Sequence, residues 1–334
     1  YKTKLMRTLF LCILTVLILS CDNKKGSENN PKNSSQSNSS GNINSLNVIM
    51  DTKDWNGEVG EIIRAIFAAE VDGLPQVEPL FNLNHLPTET FSGFAKRNRI
   101  FIKVETNRNQ AFKVLENPYA KPQRGILIQG QNAQEIAELL NEKGTDLIHE
   151  LKKVELNEKL RRIKKSTKSS KPLQDEFGIS LSFPTAYRYA KEENNFIWMR
   201  KDIPKGNLEL MVYQVPIEQV DNEKEPIVNL IQIRDSIGKK HIPGPREGQF
   251  MITEEAYMPF IKSINFKGKS AYEVRGTWEV KDAFMAGPFL LYAIKDEAND
   301  RYLITEGFVF RPSKSKRDQI FEIEAILKSL KFED

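Results

Sequence analysis

Between Ser270 and Phe310 three stretches of alternating apolar residues follow one another with only short breaks. They run Ser270–Lys281, Pro288–Lys295 and Arg301–Phe310, and Ala298-Asn299-Asp300 between the last two is a hairpin signal. Strands this closely spaced pair antiparallel, because a parallel partner needs a crossover of about a dozen residues or more. Ser315 with Asp318 then reads as the cap of a final helix, with Ile320, Ile323, Leu327 and Leu330 on one face. A sheet of this kind with a helix laid against it constrains the rest of the fold.

Upstream, helices and strands mix. Leu46–Met50 reads as a first strand, and Val59, Ile62, Ile63, Ile66 and Phe67 recur at helical spacing. Val77–Phe81 reads as extended; Ile100–Glu105, Ala111–Glu116 and Gly125–Gln129 read as strands. Asn132 and Glu135 form a capping box for a helix whose apolar periodicity continues to about Lys165. After a break with Pro172, strands fit Gly178–Pro184, Asn195–Arg200 and Leu208–Val215, and a helix fits Ile227–Ile237. The expected class is α+β: two α/β sandwich-like domains, 46–165 and 176–334, with largely antiparallel sheets and a basic linker over 166–175.

The amino-terminal stretch predicts where that body resides. Lys2, Lys4 and Arg7 precede an apolar run, Leu9–Leu19, followed by Ser20 and Cys21. As a helix the run reaches about 16 Å, half of a bilayer's hydrocarbon thickness, so it reads as a secretory segment over 1–20. Ile18-Leu19-Ser20-Cys21 resembles a bacterial lipobox, which implies lipidation at Cys21. The Ser/Asn-rich segment 21–45 reads as a flexible tether. Asp22 and Asn23-Lys24-Lys25 favour a membrane-anchored, periplasm-facing protein of the cell envelope; they do not choose between inner and outer membrane.

Charge and composition exclude several classes. The 334 residues carry 49 Lys plus Arg against 45 Asp plus Glu, too even a balance for a dedicated nucleic-acid binder. Two cysteines and three histidines, His85, His149 and His241, give no material for a thiolate or histidine metal centre, and no cofactor is expected.

Val48-Ile49-Met50-Asp51, Trp55-Asn56-Gly57-Glu58-Val59-Gly60, Leu74–Phe81, Ile242-Pro243-Gly244-Pro245 and Gly287-Pro288-Phe289 resemble an uncharacterised lipoprotein family of Bacteroidetes, a domain of unknown function. The resemblance covers nearly the whole body and supplies no catalytic residues. Phe177–Pro184 and Ile326–Phe332 resemble the two ends of PsbP-like sandwich domains, which implies that fold for the second half.

Candidate sites are sparse. Lys159–Lys171 holds seven Lys or Arg and no acid; behind a secretory segment it reads as a solvated helix end, or as a contact for anionic lipid. Gly125–Asn132 has a strand, glycine and helix start, without the further glycines or the lysine of a nucleotide loop. Glu273, Arg275, Thr277, Glu279 and Lys281 share one strand face, expected to be solvated. Arg234, Asp235, His241, Trp278 and Phe289 are the candidate ligand-binding residues, gathered by a Pro/Gly-rich loop over 241–248. The resulting expectation is a non-enzymatic binding or structural lipoprotein, held to a membrane by its lipid and meeting an envelope protein or cell-wall ligand. The alternative is a periplasmic hydrolase working through Glu273 and Glu279.

Overall fold

Two sheets, joined by one long helix, organise the chain. A computed structural model describes residues 36–222 and 225–333. The secretory segment and Cys21 lie outside the described residues. From Ser37 onward the chain forms one compact unit.

The first sheet has the order β2-β1-β3-β5-β4, with β1 Ser45–Ile49, β2 Asn82–Leu86, β3 Ile100–Glu105, β4 Ala111–Glu116 and β5 Arg124–Gln129. Helix α1 (Thr52–Trp55) and helix α2 (Glu58–Phe67) lie between β1 and β2 in sequence. The chain's strand pairings are mostly antiparallel, as expected, but this sheet is an exception: β1–β2, β1–β3 and β3–β5 are parallel, and β4–β5 is antiparallel. The cause is α2, which carries the chain back to the end where it started, so β2 runs alongside β1. Val77–Phe81, expected to be extended, supplies only a bridge from Pro79 to Glu70, and the strand begins at Asn82. Ordered pairing also starts before Ser45, with Asn38 bridging Lys121 and Ser40 bridging Asn98.

Helix α3 (Ala133–Ile163) begins at the expected cap, Asn132 Oδ1 accepting the Glu135 N–H at 3.0 Å. Thirty-one residues reach about 46 Å. That length serves two cores. Ile136, Leu140, Leu147 and Leu151 pack with Val59, Ile63 and Phe67 of α2 on the first sheet. Leu156, Leu160 and Ile163 pack into the core of the second.

The second sheet has the order β10-β12-β13-β14-β9-β8-β7, with β11 also on β12. Its strands are β7 Arg188–Glu193, β8 Phe196–Ile203, β9 Gly206–Pro216, β10 Met251–Thr253, β11 Phe260–Phe266, β12 Lys269–Val280, β13 Ala286–Asp296 and β14 Arg301–Phe310. All its pairings are antiparallel, as expected. Alternation sends Leu210, Val212, Leu290, Ile294 and Leu303 to one face, under helix α4 (Lys171–Phe177), the end of α3 and helix α7 (Arg317–Lys328). Met211, Tyr213, Phe289, Leu291 and Ile304 face the other way, under helices α5 (Ile217–Val220) and α6 (Pro226–His241). The result is helix, sheet, helix. The two segments that resembled PsbP-like ends meet each other, β6 (Ile179–Ser180) pairing with β15 (Lys331–Phe332).

Candidate functional site

Helix α6 supplies the centre of the expected cluster. Pro226 sits in its first turn, where a missing N–H costs nothing. Arg234 projects from α6 toward the sheet and is fully buried. Its Nε and Nη2 donate to Glu306 Oε1 at 2.9 and 2.8 Å, and Nη1 donates to Thr253 Oγ1 at 2.9 Å. The guanidinium carbon stands 3.9 Å from the Phe289 ring centroid, a desolvated cation–π contact. Asp235 Oδ1 accepts the Thr253 N–H at 2.7 Å and its hydroxyl at 2.8 Å. Thr253 pairs with Trp278 across β10 and β12, and the Trp278 indole donates to the Val309 carbonyl at 3.3 Å.

The structure thus brings Arg234, Asp235, Trp278 and Phe289 together around Thr253. His241 lies two helical turns further on, about 10 Å along the axis. Its ring stacks on Phe196 at 3.8 Å, with Nδ1 3.2 Å from Lys191 Nζ and 3.3 Å from Glu193 Oε2. Burial, then the Lys191 charge, holds the imidazole below its usual range. Within the cluster only Asp235 reaches solvent appreciably, its side chain being 34% exposed. The Arg234 charge is spent on Glu306.

Glu306 and Thr253 complete this cluster and escaped the sequence reading. An acid within the apolar run of β14 was the available signal, since such a group needs a partner when buried. Burial raises the Glu306 carboxyl above its usual range, against the pull of Arg234. Glu306 Oε2 and the Tyr213 hydroxyl are buried without a hydrogen-bond partner among the described residues.

The expected solvated face of β12 is overturned from Glu273 to Thr277, while Lys281 is exposed as expected. Arg275 is covered by α7; it donates to Glu273 at 2.7 Å and to Glu324 at 3.0 Å, all three side chains being 15% exposed or less. Glu279 stands near Glu254 at the β10 end, where burial and that second acid raise its carboxyl. Six residue steps along one strand separate Glu273 from Glu279, about 20 Å at 3.3 Å per step. Carboxylate pairs that share one glycosidic bond stand about 5–10 Å apart. Glu273 and Glu279 cannot act together on one bond.

The basic stretch is largely occupied too. Lys159 pairs with Glu322 at 2.8 Å, Arg161 and Arg162 with Glu158 at 2.7 Å each, and Lys171 with Asp175 at 3.0 Å. A polar depression of about 450 Å³ at the β13–β14 turn is lined by Phe177, Lys269, Asp296, Arg301 and Phe332, among others. Three of its charges are paired, Asp296 accepting from Lys269 and Arg301 at 2.9 Å each. Among the described residues no group of three or more His, Cys, Asp or Glu is placed to hold a metal ion, and no helix is long and apolar enough to cross a membrane.

Residues 39–164 match a family model described as a domain of unknown function (DUF8532), and residues 166–329 match another, also a domain of unknown function (DUF4837). Among solved structures the chain is similar to the cyanobacterial PsbP of Synechocystis sp. PCC 6803, at 10% identity over 49% of this chain and 89% of that one, with a TM-score of 0.32. It is similar to the Saccharomyces cerevisiae Ran-binding protein Mog1p, at 9% identity over 47% of this chain and 91% of that one, TM-score 0.31. LpqN, involved in cell envelope biogenesis of Mycobacterium tuberculosis, is similar at 9% identity over 47% and 83%, TM-score 0.28. No match was found among curated proteins.

Proposed function

For a chain that carries two domains of unknown function side by side, we propose the role of a lipid-anchored cell-envelope protein whose folded body binds or supports an envelope partner. The observation that carries this reading is the order of Lys2, Lys4, Arg7, the short apolar run, Ser20-Cys21 and then the folded body from Ser37. The body faces the periplasm in this reading. Its partner is an envelope protein or a cell-wall ligand, met at the α6 end of the second sheet where Asp235 reaches solvent. The distance between Glu273 and Glu279 and the pairing of Glu273 with Arg275 weigh against a carboxylate hydrolase working through those two residues.

Growth of cells with a clickable fatty acid tests the anchor. Wild-type protein takes up the label, and Cys21→Ser loses it. Equal labelling of the two proteins would refute the reading.

A further inference from the structure

The face of the first sheet opposite α2 and α3 carries an aromatic and basic patch beside the point where the folded body begins. On that face Phe91, Phe101 and Tyr119 form a small cluster, Phe91 and Phe101 lying 5.6 and 6.0 Å from the Tyr119 ring centroid. Gly125 permits it, because a Cβ there would stand 2.3 Å from the Phe101 ring. The cluster props up side chains that point outward: Phe94 is 73% exposed and Tyr119 is 40% exposed. Lys96 Nζ lies 5.1 Å from the Tyr119 ring centroid, and the Arg97 guanidinium carbon 5.7 Å from that of Phe94. Lys121, two residues after Tyr119, is exposed.

The same residues receive the chain from its amino-terminal side. Lys121 N–H donates to the Ser37 carbonyl at 2.9 Å, Ser39 N–H to the Lys121 carbonyl at 3.1 Å, and Ser40 N–H to the Arg97 carbonyl at 2.8 Å. Arg97 Nε and Nη2 also donate to the Asn38 carbonyl, at 3.2 and 3.1 Å. Fifteen residues, 22–36, separate Cys21 from Ser37. At most about 3.5 Å each, they keep Ser37 within about 55 Å of that cysteine.

We propose that this patch docks the body on an anionic lipid bilayer, with Phe94 and Tyr119 at the headgroup level and Lys96, Arg97 and Lys121 against lipid phosphates. The proposal rests on the anchoring reading above. Charge selects the occupant: Lys96, Arg97 and Lys121 make no ion pair with a carboxylate among the described residues, whereas the neighbouring Arg99, Lys103 and Arg124 are turned to Glu155, Glu105 and Glu150. Glu116, the acid on the adjoining strand, faces Arg124 at 4.0 Å. Tyrosine is favoured at a membrane–water interface, and lysine and arginine are drawn to an anionic surface.

The test uses full-length protein isolated from membranes and returned to vesicles of phosphatidylglycerol with phosphatidylethanolamine, or of phosphatidylcholine alone. An environment-sensitive fluorophore is placed at Phe94→Cys, with Phe284→Cys, on the turn after β12, as the exposed reference and unsubstituted protein as background. Docking shifts the label at 94 to shorter wavelength and slows its dithionite quenching severalfold in anionic vesicles, relative to the label at 284. The pair Lys96→Glu with Lys121→Glu abolishes both effects. Protein that floats with the vesicles while its label at 94 is as accessible as the one at 284 overturns the docking and leaves the anchor standing. Equal protection in phosphatidylcholine alone, unchanged by the charge reversals, overturns the role given to lipid phosphates. Protein that fails to float overturns the anchor and the docking together.

Discussion

The carboxylate of Glu78 accepts the N–H groups of Lys316 and Arg317, at 2.6 and 3.0 Å, at the start of a helix that lies 238 residues further along the chain. Lys316, the residue before α7, has no capping side chain of its own. The first half of the protein therefore caps the last helix of the second. Arg317 answers by donating to the Pro79 carbonyl and to Asn82 Oδ1, both at 3.0 Å. The Ser315–Asp318 cap expected from the sequence is absent, and Asp318 pairs with Arg317 instead.

Glu78→Ala should lower unfolding stability by about 1–3 kcal/mol, the cost of two buried N–H groups that lose a charged acceptor. Glu78→Gln should recover part of it. Urea denaturation of the three proteins measures this, and an unchanged midpoint in Glu78→Ala would contradict the capping role.

Arg234→Met should be more severe, about 3–5 kcal/mol, because Glu306 stays buried without its partner. The double change Arg234→Met with Glu306→Leu should regain most of the loss, since the pair then leaves together. A single Arg234→Met variant within about 0.5 kcal/mol of wild type would show that the ion pair is not what holds α6 on the sheet.

The pH dependence follows from Glu324. Burial raises its carboxyl, but the Arg275 and Lys328 charges and hydrogen bonds outweigh that and hold it down at about 2. Its unfolded value is about 4.3, so the folded form binds fewer protons over that interval. The stabilisation is complete above about pH 5 and is lost as pH falls toward 2. Glu324→Gln should destabilise the protein at pH 7 by on the order of 2–3 kcal/mol and flatten the decline between pH 5 and 2. Glu158 keeps part of that decline. Its burial is likewise outweighed, by Arg161, Arg162 and Arg99, to about 2. A thermal-melt series across that range checks the slope, and identical slopes would refute the assignment.

Limited trypsin digestion tests how the halves are joined. Lys164 and Lys165 follow α3 and are exposed, whereas the Lys168 N–H is tied to the Phe183 carbonyl at 3.0 Å. Cleavage should begin after Lys164 or Lys165. The two fragments should co-elute on gel filtration, held by Leu156, Leu160 and Ile163 in the second core and by the Lys159–Glu322 pair. Separation of the fragments under native conditions would contradict this packing.

Side-chain periodicity made much of the fold legible. Ile100–Glu105 and Ala111–Glu116 are strands as expected, and Arg301–Phe310 is the strand its alternation indicated. The Asn132 cap and the five apolar positions of α2 also declared themselves. What stayed hidden depends on partners distant in sequence. Asn82–Leu86 reads NLNHL, with no strong alternation, and is a strand because β1 offers it a backbone ladder. Missing β2 hid the parallel crossover. At the candidate site, Arg234 and Asp235 could be singled out as charges beside a loop, but the burial of Arg234 could not. That burial follows from Glu306, 72 residues away.

Mass spectrometry of the amino-terminal tryptic peptide of the membrane-extracted protein addresses the proposed anchor most directly. The reading requires a peptide beginning at Cys21 and ending at Lys24, with a diacylglyceryl group on the sulfur. A peptide that runs unbroken through Ser20-Cys21, or one with an unmodified Cys21, would contradict it.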